Sequence, residues 1–323
     1  MINDNWCLHV FLQDNYWNDS PTRPYCTGIV YYPYMRTEID AWREVTKFAA
    51  DNGCNSMVLK LANGVKYESH PEIAVEGAWE VAFLKEELKR LRELGLKVYP
   101  NVNFSAGHDA WLGIYGRMVS TPKYYRVVRD LIHEIIDIFD TPEIMVLELD
   151  EENAGNQGRL DYACYRQYDL IWHDVNFMLD CVREKGVRPC IDADYYWTHK
   201  QEFLDHIERD VLISQWYYGP LYEDAQKPLS RDPWMVARRD SYKELTEAGY
   251  DIILHASSNE GTYNFEHQIR YAMEHAKQDK IWGMGITGWW GAPTEQDKYF
   301  YMDAIYQAKY TREKFFGGEN HAK

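Results

Sequence analysis

The feature of this sequence that most constrains its fold is a regular alternation of short apolar runs with longer amphipathic segments. The apolar runs have the length of strands and lie at residues 27–32, 56–61, 97–104, 143–150, 188–194, 211–216, 251–256 and 282–289. Alternating strands and helices predict a parallel sheet, and eight repeats favour closure of that sheet over an open one. We therefore predict an α/β fold, a (β/α)8 TIM barrel in a single domain.

The segments between the runs show the periodicity of helices. In residues 38–52 and 79–94, apolar side chains recur at helical spacing along one face. Several of these helices are predicted to end at a left-handed glycine just before the next strand, namely at Gly53, Gly95, Gly186 and Gly249. The sequence does not favour a nucleotide-binding fold, because no Gly-x-Gly-x-x-Gly follows the first run and no phosphate-binding loop occurs.

Length and composition limit the domain organisation and the partners. The 323 residues contain no linker-like stretch, so we predict a barrel over residues 27–316, an N-terminal extension at 1–26 and a C-terminal tail at 317–323. The amino end lacks the basic start and apolar stretch of a secretory signal, which predicts a cytoplasmic protein. The net charge of −16 argues against nucleic acid or a membrane surface as partner, since both would repel it.

The cysteines and aromatic residues bear on cofactors and substrate. Six cysteines are widely spread, with no CxxC pair and no Cys/His cluster at zinc spacing, so we predict buried thiols and no cofactor. The content of 12 Trp and 26 Tyr is high, and many of these residues follow predicted strands, where their faces would suit the C–H surfaces of a carbohydrate. The oligomeric state does not follow from the sequence.

The fourth apolar run ends in a cluster of acids, with Asp150, Glu151 and Glu152 followed by Asn153. Residues at the carboxyl ends of barrel strands face the place where such enzymes keep their chemistry. Neighbouring carboxylates also raise at least one pKa toward the range where a carboxylic acid can donate a proton. We predict an acid–base site at Asp150 and Glu151; the alternative is a solvated acidic turn that caps the next helix.

Polar and aromatic residues follow the other predicted strands and would share the same rim. We predict that a carbohydrate is bound there by Asn103, His108, Asp192, Asp194, Trp216, Tyr218, Trp289, Trp290 and Glu295. The acids Asp192, Asp194 and Glu151 with His255 could instead hold a metal ion. We predict no metal, because no His-x-His or His/Glu helical spacing supports that alternative.

Several motifs follow one another in the order seen in a known enzyme family. They lie at residues 70–72, 99–111 and 146–151, at Trp216 and Tyr263, and at 290–291. In order and spacing they resemble the motifs of family 20 glycoside hydrolases, the β-N-acetylhexosaminidases. That family has Pro-Glu-x-Asp-x-Pro-Gly-His, His-x-Gly-Gly-Asp-Glu, Trp-Tyr-x-Asp and Trp-Gly among its motifs. The resemblance covers the chain from about residue 27 to residue 291.

The resemblance implies substrate-assisted, exo-acting hydrolysis of β-linked 2-acetamido sugars, in which the acetamido oxygen attacks the anomeric carbon. Glu151 would be the general acid/base, and Asp150 would hold the acetamido N–H and stabilise the oxazolinium ion. Tyr263 would bond the acetamido oxygen, and Trp216, Trp289 and Trp290 would wall the methyl pocket. A two-carboxylate hydrolase, with Asp192 or Asp194 paired with Glu151, and a non-catalytic sugar-binding barrel remain as alternatives.

The chain also departs from the family pattern. Val-Leu-Glu-Leu replaces His-x-Gly-Gly at 146–149, and Thr27, Asn63, Asn264 and Ala292 stand at the apparent positions of residues that bind the sugar's outer hydroxyls. The departures predict a different or substituted sugar, or a lost activity. Simple aryl β-N-acetylglucosaminides would then be poor substrates.

Overall fold

A closed barrel of eight parallel strands forms the centre of the computed structural model, which describes residues 3–20, 30–223, 229–259, 261, 263–289 and 291–317. In chain order the strands are β1 Trp6–Phe11, β2 Ser56–Lys60, β3 Lys97–Asn101, β4 Ile144–Glu148, β5 Arg188–Asp192, β6 Leu212–Trp216, β7 Ile252–Ser257 and β8 Ile281–Thr287. Each strand pairs in parallel with its neighbours in the sequence, and β1 closes the ring against β8. The predicted fold class is confirmed.

Helices connect the strands and cover the outside of the barrel. They are α1 Ile39–Asp51, α2 Val81–Glu93, α3 Pro122–Ile138, α4 Ala154–Gln157, α5 Leu170–Arg183, α6 Asp194–Thr198, α7 Lys200–His206, α8 Pro233–Glu247, α9 Asn264–His275 and α10 Lys298–Phe316. Short 3-10 turns lie at Pro71–Ile73, Ala110–Met118 and Gln278–Lys280, and a two-stranded sheet pairs Val65–Lys66 with Trp79–Glu80. The four glycines predicted to end helices all have positive φ.

The predicted position of the first strand is wrong. Residues 27–29 of that run lie outside the described residues, and residues 30–32 are not in a strand. The barrel is closed instead by Trp6–Phe11, inside the segment predicted to be an N-terminal extension. His9 interrupts the apolar character of this segment. The backbone of the segment nevertheless forms hydrogen bonds with the two strands beside it, and those hydrogen bonds decide the register of the segment.

Inside the barrel, side chains are arranged in two layers. Residues two apart on a strand point the same way, so one strand can contribute side chains to both layers. The first layer is an apolar cluster of Cys7, Val58, Tyr99, Ile144, Val146, Cys190, Leu212, Ile253 and Trp282. Two residues further along their strands come the polar side chains His9, Lys60, Asn101, Glu148, Asp192, Ser214 and His255, all buried. The polar layer lies nearer the carboxyl ends of the strands.

A larger apolar core lies between the barrel and the helices. In α3, the buried side chains of Val128, Leu131 and Ile135 fall at helical spacing and pack in this core. Full burial of such a side chain contributes about 1.5–3 kcal/mol, so the stripe fixes the helix against the sheet. No helix within the described part of the chain is both long and apolar enough to cross a membrane.

Candidate active site

A cavity of about 330 Å³ opens at the carboxyl ends of the barrel strands. It is lined by Trp17, His108, Asp150, Glu151, Asp192, Trp216, Tyr218, His255 and Trp289. A larger cavity, about 560 Å³, lies beside Trp6 and Phe316, at the amino end of β1. Barrel enzymes hold their chemistry at the carboxyl ends, so the smaller cavity is the candidate site.

Most of the residues predicted for the rim meet in this cavity, but not all do. Asn103 and Asp194 do not line it and instead contact residues that do, as described below. Tyr263 lies at the start of α9, with its ring 5.0 Å from that of His267, and does not line the cavity. Glu295 is exposed and forms an ion pair with Lys298. Trp290 lies outside the described residues.

Trp17 is a cavity residue that the sequence analysis missed. It follows β1, and its ring lies 5.9 Å from that of His108 and 5.8 Å from that of Phe11. The alternation Trp-Cys-Leu-His-Val-Phe at 6–11, followed by polar residues and two aromatics, was the pattern that could have revealed both the strand and Trp17. Assigning the first strand to residues 27–32 hid it.

His108 bridges the two predicted catalytic acids. Its Nδ1 lies 3.0 Å from Asp150 Oδ1, and its Nε2 lies 3.6 Å from Glu151 Oε2. Burial by itself would lower the pKa of His108, but the charges of Asp150 and Glu151 outweigh burial and raise it. Burial would likewise raise the pKa of Asp150, yet His108 and the hydrogen bonds to this carboxylate bring it down to about 2. Asp150 is therefore an anion at any physiological pH.

A buried ion pair in the barrel interior is connected to Asp150 through one amide side chain. Lys60, only 2 % exposed, pairs with Glu148 across the barrel interior. Asn103 joins this pair to the site, because its amide donates to Glu148 at 2.9 Å and to Asp150 at 2.6 Å. The Lys60 ammonium also lies 4.3 Å from the ring centre of Trp289. The predicted substrate-binding residue Asn103 thus orients the acid through hydrogen bonds.

The backbone after β4 is strained where it carries the acids. Glu148, Leu149 and Glu151 all have positive φ, which costs a non-glycine residue of order 1–3 kcal/mol. Glu148 and Leu149 occupy the places of the two glycines in the family motif His-x-Gly-Gly-Asp-Glu. Both residues adopt the left-handed backbone conformation that glycine takes most easily.

Two further acids lie beside the pair. Burial and the charges of Asp150 and Glu148 raise the pKa of Asp192 well above its ordinary value. Burial and the charge of Asp150 raise the pKa of Asp194 to about 8. Asp194 accepts hydrogen bonds from the Glu151 backbone N–H at 3.1 Å and from Trp216 Nε1 at 2.9 Å. Asp194 consequently fixes the backbone of Glu151 and one aromatic wall.

Aromatic side chains form the walls of the cavity. Trp216 and Tyr218 are stacked with ring centres 5.3 Å apart, and Trp289 lies 6.3 Å from Tyr218. The Tyr218 hydroxyl and the Trp289 indole N–H lie close to each other, but neither makes a hydrogen bond of good geometry with a described residue. Flat apolar walls with unpaired donors suit a ligand that has both C–H faces and hydrogen-bonding groups.

Of the positions compared with the family's hydroxyl-binding residues, the three that the structure describes, Asn63, Asn264 and Ala292, do not line the cavity. Thr27 lies outside the described residues, and Ala292 is fully buried away from the lining. Asn63 bonds Asn15 and Tyr31, while Asn264 bonds the Ser257 N–H and the Tyr217 carbonyl.

The site contains one set of side chains of metal-ligating type. Within the described ranges, only His108, Asp150 and Glu151 bring three ligand atoms together, within 4.8 Å of one another. Asp192, Asp194 and His255 are not part of that set. His108 and Asp150 in this set are also joined by a hydrogen bond.

Asp109, next to His108, gives the protein a testable dependence of stability on pH. Burial raises the pKa of Asp109 to about 8, and its Oδ2 is buried without a hydrogen-bond partner in the described chain. The folded state then holds a proton that the unfolded state releases near pH 4, so stability falls as pH rises from about 4 to 8. Asp109→Asn should raise the melting temperature much more at pH 8 than at pH 5. An equal shift at both values would contradict the assignment.

Comparison with solved structures places this fold beside enzymes that act on amino sugars. The chain superimposes on a β-N-acetylhexosaminidase from Bacteroides fragilis with TM-score 0.63 and 13% identity, over 94% of this chain and 65% of that one. The N-acetyl-β-hexosaminidase of Streptomyces plicatus gives TM-score 0.65 and 12% identity, over 96% and 63%. A family 20 exo-β-N-acetylglucosaminidase from Vibrio harveyi, in complex with N-acetylglucosamine, gives 0.61 and 12%, over 97% and 57%.

These similarities concern the fold. The chain spans about three fifths of the length of those three proteins. No sequence profile of a known family matches the chain, and no curated protein sequence matches it either. The resemblance read from the motif order is thus confirmed at the level of the structure, and the chemistry has to be argued from the site.

Proposed function

We propose that this protein is a glycoside hydrolase that removes β-linked N-acetylhexosamine residues from the ends of glycans. The observation that carries the proposal is the set Asp150–His108–Glu151 on the wall of an aromatic cavity. The set provides an anion and a proton-transfer group side by side. The fold shared with N-acetylhexosaminidases supports the same reading.

Glu151 is proposed as the general acid and base. Its side chain is 37 % exposed, the most open of the acids at the cavity, so it can reach an oxygen that links the sugar to the rest of a glycan. Its carboxylate accepts a hydrogen bond from Asn156 at 3.0 Å, and its backbone N–H is held by Asp194. Glu151 protonates the leaving oxygen and afterwards takes a proton from water.

Asp150 is proposed to stabilise the positive charge that develops as the acetamido oxygen attacks the anomeric carbon. A carboxylate with a pKa of about 2 stays charged throughout this step. Hydrogen bonds from Asn103 and His108 hold it in one orientation, which is the preorganisation that makes electrostatic stabilisation effective. The acetamido N–H would donate to the same carboxylate.

The hydrogen bond to the acetamido oxygen is assigned to Tyr218. Tyr263, which the family motif suggested, does not line the cavity. Tyr218 lines the cavity, and its hydroxyl is buried and lacks a good partner among the described residues. Burial raises the pKa of this phenol further above 10, so it remains a donor at neutral pH. Trp216 and Trp289 flank it and would enclose the acetamido methyl group.

The two-carboxylate alternative would need Asp192 or Asp194 as a second anion. The pKa of both is raised, because they are buried beside the charge of Asp150. Asp194 is also committed to Trp216 and the Glu151 backbone. A protonated acid is a poor nucleophile, so the alternative is disfavoured. The sugar's own acetamide then remains as the nucleophile, as in the substrate-assisted families that depart from the two-carboxylate scheme.

A comparison of two substrates tests this proposal. An aryl 2-acetamido-β-glycoside should be hydrolysed at least about a hundredfold faster than the matching 2-hydroxy glycoside, because well-placed intramolecular nucleophiles reach effective molarities of about 10⁵ M or more. The measurement is kcat/KM for both, over sugars of gluco and galacto configuration. Equal rates would favour the two-carboxylate scheme. Binding without turnover of either would leave a sugar-binding barrel.

A further inference from the structure

His255 is a buried residue of the cavity lining. It is 3 % exposed, and Nδ1 lies 3.1 Å from the hydroxyl of Ser214, which also contacts Asp192. The other ring nitrogen, Nε2, is buried and has no hydrogen-bond partner within the described chain. Buried polar atoms in folded proteins are nearly always paired. Because His255 is one of the residues that line the cavity, its unpaired nitrogen is a candidate position for a ligand atom.

Packing holds the His255 ring in one place. The ring of His9 lies 4.2 Å away, and the rings of Trp289 and Tyr218 lie at 5.8 Å and 6.5 Å. Glycine at position 285 makes room for the two histidines, since a Cβ there would lie 3.1 Å from His255 Cδ2 and 3.2 Å from His9 Nε2. The orientation of Nε2 is thus set before any ligand binds, which reduces the entropy lost on binding.

The charge of the ring limits what it can bind. Burial and the nearby Lys60 ammonium lower the pKa of His255 to about 3, so the imidazole is neutral. A neutral imidazole has one donor and one acceptor nitrogen, and the hydrogen bond with Ser214 can be made in either tautomer. A hydroxyl group can accept or donate, so it pairs with Nε2 in both cases. A carboxylate or a phosphate could pair with only one.

The exposure of Glu151 and the burial of His255 indicate which edge of a sugar His255 would meet. Glu151 lies at the open side of the cavity, whereas His255 and Asp192 are 3 % and 5 % exposed. A terminal sugar whose glycosidic oxygen meets Glu151 directs the opposite edge of its ring inward. That edge carries the hydroxyls on carbons 3, 4 and 6.

We propose that His255 binds one hydroxyl on the inner edge of the terminal sugar, and that Ser214 is a positioning residue that orients the His255 ring. This inference rests on the proposed function, because the orientation of the sugar follows from the role of Glu151. It accounts for recognition of the outer hydroxyls in a chain where Asn63, Asn264 and Ala292 do not line the cavity.

The test measures affinity, so that it does not depend on turnover. Isothermal titration calorimetry would compare N-acetylglucosamine and N-acetylgalactosamine with their 3-, 4- and 6-deoxy forms. In the wild-type protein, loss of one particular hydroxyl should weaken binding about tenfold or more, because a buried partner is left unpaired. His255→Phe keeps the ring and removes the nitrogens. In this variant, that deoxy sugar and its parent should bind within about twofold of each other.

Two further variants make the result decisive. Ser214→Ala should reduce the same discrimination partly and leave the preference at the other positions unchanged, and it serves if His255→Phe does not fold. His133→Phe makes the matched substitution on α3, away from the cavity, and should bind all sugars as the wild type does.

The outcomes separate this inference from the proposed function. Equal discrimination by the wild type and His255→Phe, or a wild type that is indifferent to every deoxy position, overturns the role of His255. Hydrolysis that ignores the acetamido group, together with selective loss of one hydroxyl contact in His255→Phe, overturns the mechanism and keeps the binding role. Absence of binding to any of the sugars overturns both.

Discussion

Replacement of Glu151 by Gln is expected to remove nearly all hydrolysis of ordinary glycosides while sugar binding stays close to that of the wild type. The amide keeps the shape of the side chain and its contact with Asn156, but it cannot deliver a proton. Loss of general acid catalysis lowers rates about 10²–10⁴-fold. The measurement is kcat/KM on a series of aryl glycosides that differ in the pKa of the leaving group.

The dependence on the leaving group makes this test specific. Glycosides whose leaving groups depart without a proton should lose much less rate in the first step. Glu295→Gln is the matched control, since Glu295 lies outside the cavity in an ion pair with Lys298 and its replacement should leave rates within about twofold. A uniform loss over all leaving groups, or wild-type rates in Glu151→Gln, would show that another group is the acid.

Replacement of Asp150 by Asn should reduce turnover strongly and binding of the product sugar only slightly. The charge acts on a transition state that carries more positive charge than the substrate, and loss of one such preorganised group commonly costs about 2.7–4 kcal/mol, or 10²–10³ in rate. An acetamido-thiazoline, which mimics the oxazoline, should lose affinity in parallel. Unchanged turnover and unchanged thiazoline affinity would contradict the assisted mechanism.

The Asp150 variant also has a consequence for pH. Asp150 is the main group that raises the pKa of His108, so its neutralisation should let burial lower that pKa. An NMR titration of the His108 ring should show the downward shift. In the wild type, Asp150 keeps its charge until pH falls to about 2, so it should not produce an acid limb in the activity profile at higher pH. Asp303→Asn, on the exposed side of α10, is the matched control for both measurements.

The fold was largely predictable because its main constraint is local. Seven of the eight apolar runs overlap the observed strands β2–β8, and the two helices predicted at 38–52 and 79–94 differ from the observed ones by one or two residues at each end. The runs could be recognised from their apolar residues and from the glycines that end several of the preceding helices. The first strand was missed because it contains a polar residue, His9. The side chain of His9 belongs to the polar layer inside the barrel, which the sequence alone did not reveal.

The site was predictable in its location and only partly in its membership. Parallel strands bring their carboxyl ends to one rim, so Asp150, Glu151, His108, Asp192 and four aromatic or polar neighbours could be grouped from order alone. Tyr263 and Glu295 also follow strands of the barrel, but neither lines the cavity. The direction of a side chain in a loop depends on how that loop packs with other loops. Trp17 lines the cavity although it lies in the segment predicted to be an N-terminal extension.

The sequence by itself determined the class of fold, the rim where the candidate cavity opens and the adjacent acids Asp150 and Glu151 in its lining, because these depend on periodicity along the chain and on adjacent residues. Only the tertiary structure decided that Lys60, Glu148 and Asn103 support Asp150, that His108 joins it to Glu151, and that the lining residue His255 has a ring nitrogen with no hydrogen-bond partner among the described residues. These contacts join strands that are far apart in the sequence. The low dielectric of the barrel interior, which sets the pKa values of the acids and histidines, exists only once the ring of strands has closed.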